Sequence, residues 1–311
     1  MEVKNSLIKK EEDKKLTFRE FVLKKTENLM QPQEQQRFLS SIISVMNNNP
    51  AIAECDKSSI VNCALLGEAL KLPPSPQLGY FYMVPFNNTE KNCKEAQFQL
   101  GYKGYIQLAI RSGQYRNINV VAIKEGELKS YNPLTEELQT TFIEDDEIRE
   151  KTATIGYYAM LETISGFRKS IYWSKKKMLA HADKYSQSFH LHETTTKKGY
   201  KIVSYEEYIK NKQKYEKSAL YSSFWYKDFD GMAFKTMLRQ LISKWGIMSV
   251  EIQKAYDNDM GIIRDDGSVD FSDNPQNKDN EDNKIIDTQA EVKEDIKEEA
   301  KNPQEDLTAG F

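Results

Sequence analysis

Apolar residues recur at helical spacing early in the chain and cluster as strands farther on. After a highly charged opening segment, residues 1–15, the positions Phe18, Phe21, Val22 and Lys25 share one helical period. A second helix is predicted over 33–47, with Phe38, Ile42, Val45 and Met46 inward, ended by Asn47-Asn48-Asn49-Pro50. A third begins near Asp56 or Ser58, both good capping types, and runs to Leu70. Its apolar set, Ile60, Cys63, Ala64, Gly67 and Leu70, makes Cys63 a small core residue and not a reactive thiol.

Lys71-Leu72-Pro73-Pro74-Ser75-Pro76 breaks the helical pattern. The β-forming run Tyr80–Phe86 and the run Ala96–Leu100 then pair as an expected hairpin around Asn87-Asn88. Residues 101–112 read as a helix with Tyr105, Leu108 and Ala109 inward and Gly113 as its stop. Strands are expected over 118–124, 152–164 and 167–173, the last two joined by a Ser165-Gly166 turn. Ser174 caps a helix carrying Met178, Leu179 and Ala182. Residues 184–217 are polar, rich in lysine and weakly periodic, and read as a long loop or insertion. The last strong helix places Phe234, Leu238, Leu241 and Trp245 on one buried stripe. That stripe leaves Lys235 and Arg239 on one exposed flank and Lys244 on the other.

Charge divides the 311 residues unevenly. From Asp265 to Phe311 there are fifteen acidic residues and five lysines, while the rest holds 39 basic and 32 acidic residues. The formal net charge of −3 therefore averages a basic body and an acidic tail. The tail lacks the apolar surface to offset its ordering entropy, so disorder is expected from Asp257, with at most a short helix at 290–301. The expected organisation is a charged segment and helix over 1–30, a core over 31–256 and the acidic tail over 257–311. Mean hydropathy is −0.69, and no apolar run is long enough to span a membrane. No secretory signal is expected at Met1-Glu2-Val3-Lys4-Asn5, and three cysteines imply no disulfide framework, so a cytoplasmic setting is expected.

Signatures of catalysis are sparse. The chain has no Walker-type phosphate loop, no dinucleotide-binding glycine motif, no H-E-x-x-H and no C-x-x-C. His181 with His190-Leu191-His192-Glu193 is the nearest thing to a metal cluster and lacks a second ligand pair at usual spacing. Glu144-Asp145-Asp146-Glu147 reads as a solvated connector and not as a nuclease patch.

The basic signals are stronger. Residues 101–130 carry Lys103, Arg111, Arg116, Lys124 and Lys129 against two acids, and 168–217 carry thirteen cations, among them Arg168 and Lys169, against five acids. Tyr102, Tyr105, Tyr115, Phe167, Tyr172 and Trp173 interleave them. Cations that neutralise phosphates, mixed with flat rings that stack on bases, suit a single nucleic-acid strand. Each residue also has a plainer role: rings fill cores and lysine runs face solvent.

The assembled motifs resemble a family. Cys63-x-x-Leu66-Gly67-x-x-Leu70-x-Leu72-x-Pro74 and Leu78-Gly79-x-x-Tyr82-x-x-Pro85-Phe86-x-Asn88 are similar to the opening blocks of the RecT-type phage recombinases. So are Gln99-Leu100-Gly101-Tyr102-Lys103-Gly104, Leu108-Ala109-x-Arg111-Ser112-Gly113 and Ala122-x-Lys124-Glu125-Gly126-Glu127. Met232-Ala233-x-Lys235-Thr236-x-x-Arg239 and Ser249-x-Glu251-x-Gln253-x-Ala255 complete the series, which spans about 60–255. Phe234 and Gln240 depart from it where family members often carry basic residues.

The resemblance implies an α+β fold, an antiparallel sheet crossed by a long helix, similar in core to the Redβ protein and to the eukaryotic strand-annealing recombination mediator. It implies ATP-independent binding of single-stranded DNA and annealing to its complement, by a ring or helical filament of copies. No cofactor is expected, with Mg2+ at most modulating DNA binding. Implied partners are single-stranded DNA, the annealed duplex, further copies of the chain, and a phage exonuclease or host single-strand binding protein met through the tail. Lys103, Arg111 and Arg116, around Gly101-x-x-Gly104, lead the expected DNA contacts, with Lys124, Arg168, Lys169, Lys235, Arg239 and Lys244 beside them; Tyr105 or Phe81 is a candidate wedge or stacking ring, with core packing the favoured reading of each. A coat protein that blocks pairing and a protein-assembly scaffold are the alternatives, with a nuclease a distant fourth reading.

Overall fold

The computed structural model describes residues 16–88, 91–186, 188–196 and 199–271. The opening segment 1–15 and the acidic stretch from 272, with its expected helix at 290–301, lie outside the described residues.

Local signals account for most element starts. Helix α1, Phe18–Thr26, opens on a capping box in which Thr17 Oγ1 accepts from the Glu20 amide and Glu20 accepts from the Thr17 amide. Helix α2, Pro32–Asn48, starts on a proline whose fixed φ suits a first helical position. A short turn α3, Pro50–Ala53, precedes α4, Lys57–Ala69, which Asp56 caps by accepting from the Ser59 amide at 2.9 Å. Strands β1, Phe81–Asn88, and β2, Cys93–Leu100, form the expected antiparallel hairpin. Helix α5, Tyr102–Ser112, stops at Gly113, whose φ of 65° is the left-handed conformation that glycine adopts without penalty.

The centre of the chain is a three-stranded antiparallel sheet in the order β3-β6-β7, built from Tyr115–Lys124, Thr154–Thr163 and Arg168–Ser174. Between β3 and β6 stand a hairpin of β4, Leu128–Asn132, with β5, Glu137–Thr140, and a short helix α6, Asp146–Lys151. The hairpin was not legible in the sequence. The expected solvated connector at 144–147 is corrected in part: Asp145 caps α6 by accepting from the Ile148 amide at 3.0 Å. From α6, Arg149 Nε donates to buried Glu127 at 2.6 Å and so pins the turn after β3.

After β7, Ser174 caps α7, Lys175–Tyr185, as expected. The expected loop at 184–217 is overturned. It contains β8, Thr194–Thr195, paired with β9, Lys201–Ile202, and helices α8, Tyr205–Lys210, and α9, Lys212–Tyr215. Phe189, Ile202, Tyr205 and Tyr208 from this stretch are buried, the Phe189 and Tyr205 ring centres 5.2 Å apart. A few large rings separated by lysines lower mean hydropathy without lowering the apolar area available for burial.

Helix α10, Phe224–Lys227, leads into α11, Phe229–Trp245, the central helix. One core comprises α1, α2, α4, β1, β2 and α5 together with Leu238 and Ile242 of α11. A second comprises Tyr157, Ala159 and Leu161 of the sheet, α7, the aromatic 189–229 stretch, and Ala233, Met237 and Leu241 of α11. The helix therefore packs between two apolar bodies and against all three central strands, which buries it on more than one stripe. On the other sheet face, Ile123, Tyr158 and Met160 pack beneath the β4–β5 hairpin.

The boundary expected at Asp257 is also corrected. Helix α12 runs Val250–Asn258, Asp259 and Ile262 are buried, and β10, Ile262–Ile263, pairs with β11, Val269–Asp270. The Phe98 amide donates to Gly261 O at 2.9 Å, and Asp265 accepts from Asn62 at 2.8 Å. These bonds tie the stretch to β2 and α4. The three-stranded sheet, two hairpins and two short strand pairs are all antiparallel, so α+β describes the fold, with strands spread over several small sheets.

Candidate nucleic-acid interface

The ten expected contacts fall into four groups. Lys103 is exposed on the first turn of α5 and has no ion-pair partner among the described residues. The glycines beside it do not open the backbone to a phosphate. A Cβ on Gly101 would lie 2.1 Å from Gly79 O, one on Gly104 2.1 Å from Tyr80 O, and the Gly101 amide donates to Tyr80 O at 2.8 Å. They exist so that α5 can pack on the chain entering β1. Arg111, at the other end of α5, donates to Leu70 O at 2.5 Å and Lys71 O at 3.0 Å. It closes the C-terminal end of α4, where helix carbonyls lack partners.

In the second group Lys235 and Tyr105 are buried and Arg239 is half-buried, which corrects the exposed flank expected for Lys235 and Arg239. Lys235 Nζ donates to Asp259 Oδ1 at 2.8 Å and Arg239 Nη1 to Asp259 Oδ2 at 2.9 Å. Tyr105 accepts from Arg239 at 3.2 Å, and the Leu100 amide donates to the same carboxylate at 2.9 Å. Arg239 also stacks over Tyr256 at 3.9 Å. Burial pushes the Tyr105 hydroxyl well above its ordinary value, and burial lowers Lys235 against the pull of Asp259. Burial opposes the Arg239 charge, but Tyr105, Asp259 and Tyr256 raise its pKa overall. Tyr105 is a core ring here and cannot stack on a base without unfolding α5. Asp259 was missed because its partners lie twenty or more residues away and it fell in the expected tail.

Lys124 stands at the far end of β3, where its Nζ donates to Thr154 Oγ1 at 3.0 Å. The remaining four residues meet at the opposite end of the sheet, where β3 begins, β6 ends and β7 begins. Arg116 occupies an irregularity of β3 and pairs with Glu162 at 3.2 Å. Glu162 sits across from Arg168 of β7. Lys169, next in β7, pairs with Glu136 of the β4–β5 turn, and its Nζ lies 4.7 Å from the centre of the Trp245 ring. Lys244 Nζ lies 5.8 Å from the same ring. Tyr115 Oη donates to Ile247 O at 2.7 Å and fixes the end of α11 against this end of the sheet. Arg168 and Lys244 are exposed and have no carboxylate partner among the described residues.

Two rings carry lysines, Trp245 at this end and Trp173 toward the Lys124 end, where strand pairing sets it level with Ala122. Trp245, expected in the core, is 37 % exposed. Trp173 is half-buried on β7 with Lys177 Nζ 4.5 Å from its centre. Burial, and then Lys244, lower the pKa of Lys177, which places the two ammonium groups within each other's field. His181 packs edge-on to Trp173 and against Tyr185. Burial, followed by Lys177 and Lys184, pushes the imidazole down to about 4, so it is neutral near pH 7. No group of three His, Cys, Asp or Glu side chains able to hold a metal ion occurs among the described residues. Cations and aromatic faces held together in this way can bind a polyanion.

The RecT family model matches residues 36–198 and 194–279. The chain is 39% identical over 234 residues to the uncharacterized protein YqaK of Bacillus subtilis (strain 168), covering 75% of this chain and 67% of that protein. It is 32% identical over 98 residues to protein RecT of Escherichia coli (strain K12), covering 31% of this chain and 36% of that protein. With matches running from α2 through β11 and including both the central sheet and α11, the chain belongs to the RecT family.

Proposed function

We propose that the chain binds single-stranded DNA and anneals it to a complementary strand in phage-type recombination, without ATP and as an oligomer. Family membership supports the reaction. The observation that carries the site is one end of the β3-β6-β7 sheet, where Lys169 and Lys244 stand by Trp245 and Arg116 and Arg168 flank Glu162 across the sheet from Lys169. Annealing makes and breaks no covalent bond. It needs a cationic track that holds one backbone and leaves base edges free for the second strand. Exposed Lys103 extends the track along α5, and Lys175, Lys176 and Lys177 add unspecific attraction at the start of α7. Lys235, Arg239 and Tyr105 support this surface from within the core, and Arg111 supports it by joining α5 to α4. A ring or filament of copies, and a nuclease or single-strand binding partner for the acidic tail, complete the proposal.

The test follows pairing of two complementary oligonucleotides by fluorescence quenching, without ATP, with protein added to the first strand. Accelerated pairing supports the reading. Binding without acceleration leaves a coat protein, and no binding leaves an assembly scaffold.

A further inference from the structure

We propose that Trp245 is a stacking ring for unpaired nucleobases, placed so that Lys169 and Lys244 meet the phosphates on either side of the stacked base; this rests on the single-strand reading above. The apolar stripe of α11 buries Leu238 and Leu241 completely, yet the stripe's last member stays 37 % exposed. The cause is the turn that follows. Gly246 takes an extended conformation and lies so close to Tyr115 that a Cβ there would come 2.6 Å from the Tyr115 hydroxyl. The chain leaves the helix at once, and no described residue covers the indole completely.

The surroundings of the ring match one ligand chemistry. Two ammonium groups lie 4.7 and 5.8 Å from its centre. Trp173 stands on the same face of β7 as Lys169, by the two-residue alternation of a strand, and carries Lys177 over its own ring. Lys244 has no carboxylate partner among the described residues. An acidic peptide would use the cations and leave the indole idle. A duplex would offer phosphates but hide its base faces. A single strand uses both, and every base has a face to stack, so the contact carries no sequence preference. Lys244, exposed and held by the indole alone, shifts toward a phosphate at little cost, whereas Lys169 exchanges its Glu136 partner for one.

The test compares two probes of equal length on the full chain: oligo(dT) and an abasic oligodeoxynucleotide that keeps the phosphates without the bases. Trp245→Ala is expected to lose about 5- to 150-fold in affinity for oligo(dT), the range of one base stack, and little for the abasic strand. Trp245→Phe, which keeps a flat ring, should retain most of the oligo(dT) affinity. It should also lose most of the tryptophan quenching that oligo(dT) causes in the unaltered protein, a readout that remains if the alanine variant fails to fold. Equal loss on both probes, or unchanged affinity and unchanged quenching, overturns the proposal. So does a change in subunit association with DNA affinity unaltered, which would assign the ring to a contact between copies. If the unaltered protein binds neither probe, the single-strand reading itself fails.

Discussion

Lys235 donates to Asp259 at 2.8 Å with both side chains buried, so a cation expected to face DNA is instead part of the core. Asp259 also holds Arg239 and the Leu100 amide, and it is the only carboxylate that pairs with either cation among the described residues. Removing it strands two positive charges. Asp259→Ala is expected to cost about 3–5 kcal/mol, the usual penalty for breaking a buried pair from one side. Lys235→Met should cost less, because Asp259 keeps its other partners. Urea unfolding followed by circular dichroism measures both.

Two glycines of the α5 region have different tasks. Gly104→Ala drives a methyl group to 2.1 Å from Tyr80 O and is expected to cost about 1–3 kcal/mol through backbone displacement. Gly113→Ala meets nothing within 4 Å and loses only the freedom to hold φ at 65°, about 1–2 kcal/mol. A Gly113→Asn variant should recover part of the second loss, and no polar substitution should recover the first. Thermal melts of the three variants separate steric contact from conformation.

His181 makes stability depend on pH. The folded imidazole holds off protonation to about 4, against an ordinary value of 6.5. Between those values the unfolded chain binds the proton and the folded chain does not, so unfolding is favoured as pH falls. The contribution is fully present above about pH 6.5 and is lost by about pH 4. Its upper bound is on the order of 3 kcal/mol at about 1.4 kcal/mol for each pH unit. His181→Phe keeps a ring between Trp173 and Tyr185 and should flatten the stability profile across that window.

Fold and site were legible where a local rule decides. Asp56, Ser174 and Gly113 mark helix ends, and Ser165-Gly166 marks a hairpin, because each acts within a few residues. The family motifs located the chain's relatives for the same reason: they are short and ordered. What failed depended on distance. A single apolar stripe on α11 did not reveal a second apolar body on its other side, so Lys235 read as exposed and Trp245 as buried. Residues 184–217 looked polar because tyrosine rings that fill the second core are dispersed among lysines. That Arg116, Arg168, Lys169 and Lys244 share one end of the sheet is set by strand pairing and by the place where α11 ends, neither of which a linear reading supplies.

The most direct test of the sheet-end surface is the affinity for oligo(dT) measured over a range of salt concentrations, for the unaltered protein and for Arg168→Ala/Lys244→Ala. Each lost phosphate contact on a single strand lowers the slope of log affinity against log salt by about 0.7, so the double variant should bind more weakly with a slope shallower by about 1.4. Both residues are exposed and without carboxylate partners among the described residues, so its unfolding curve should match that of the unaltered protein. A folded double variant with the same affinity and the same slope would show that the strand runs elsewhere, and would contradict the account.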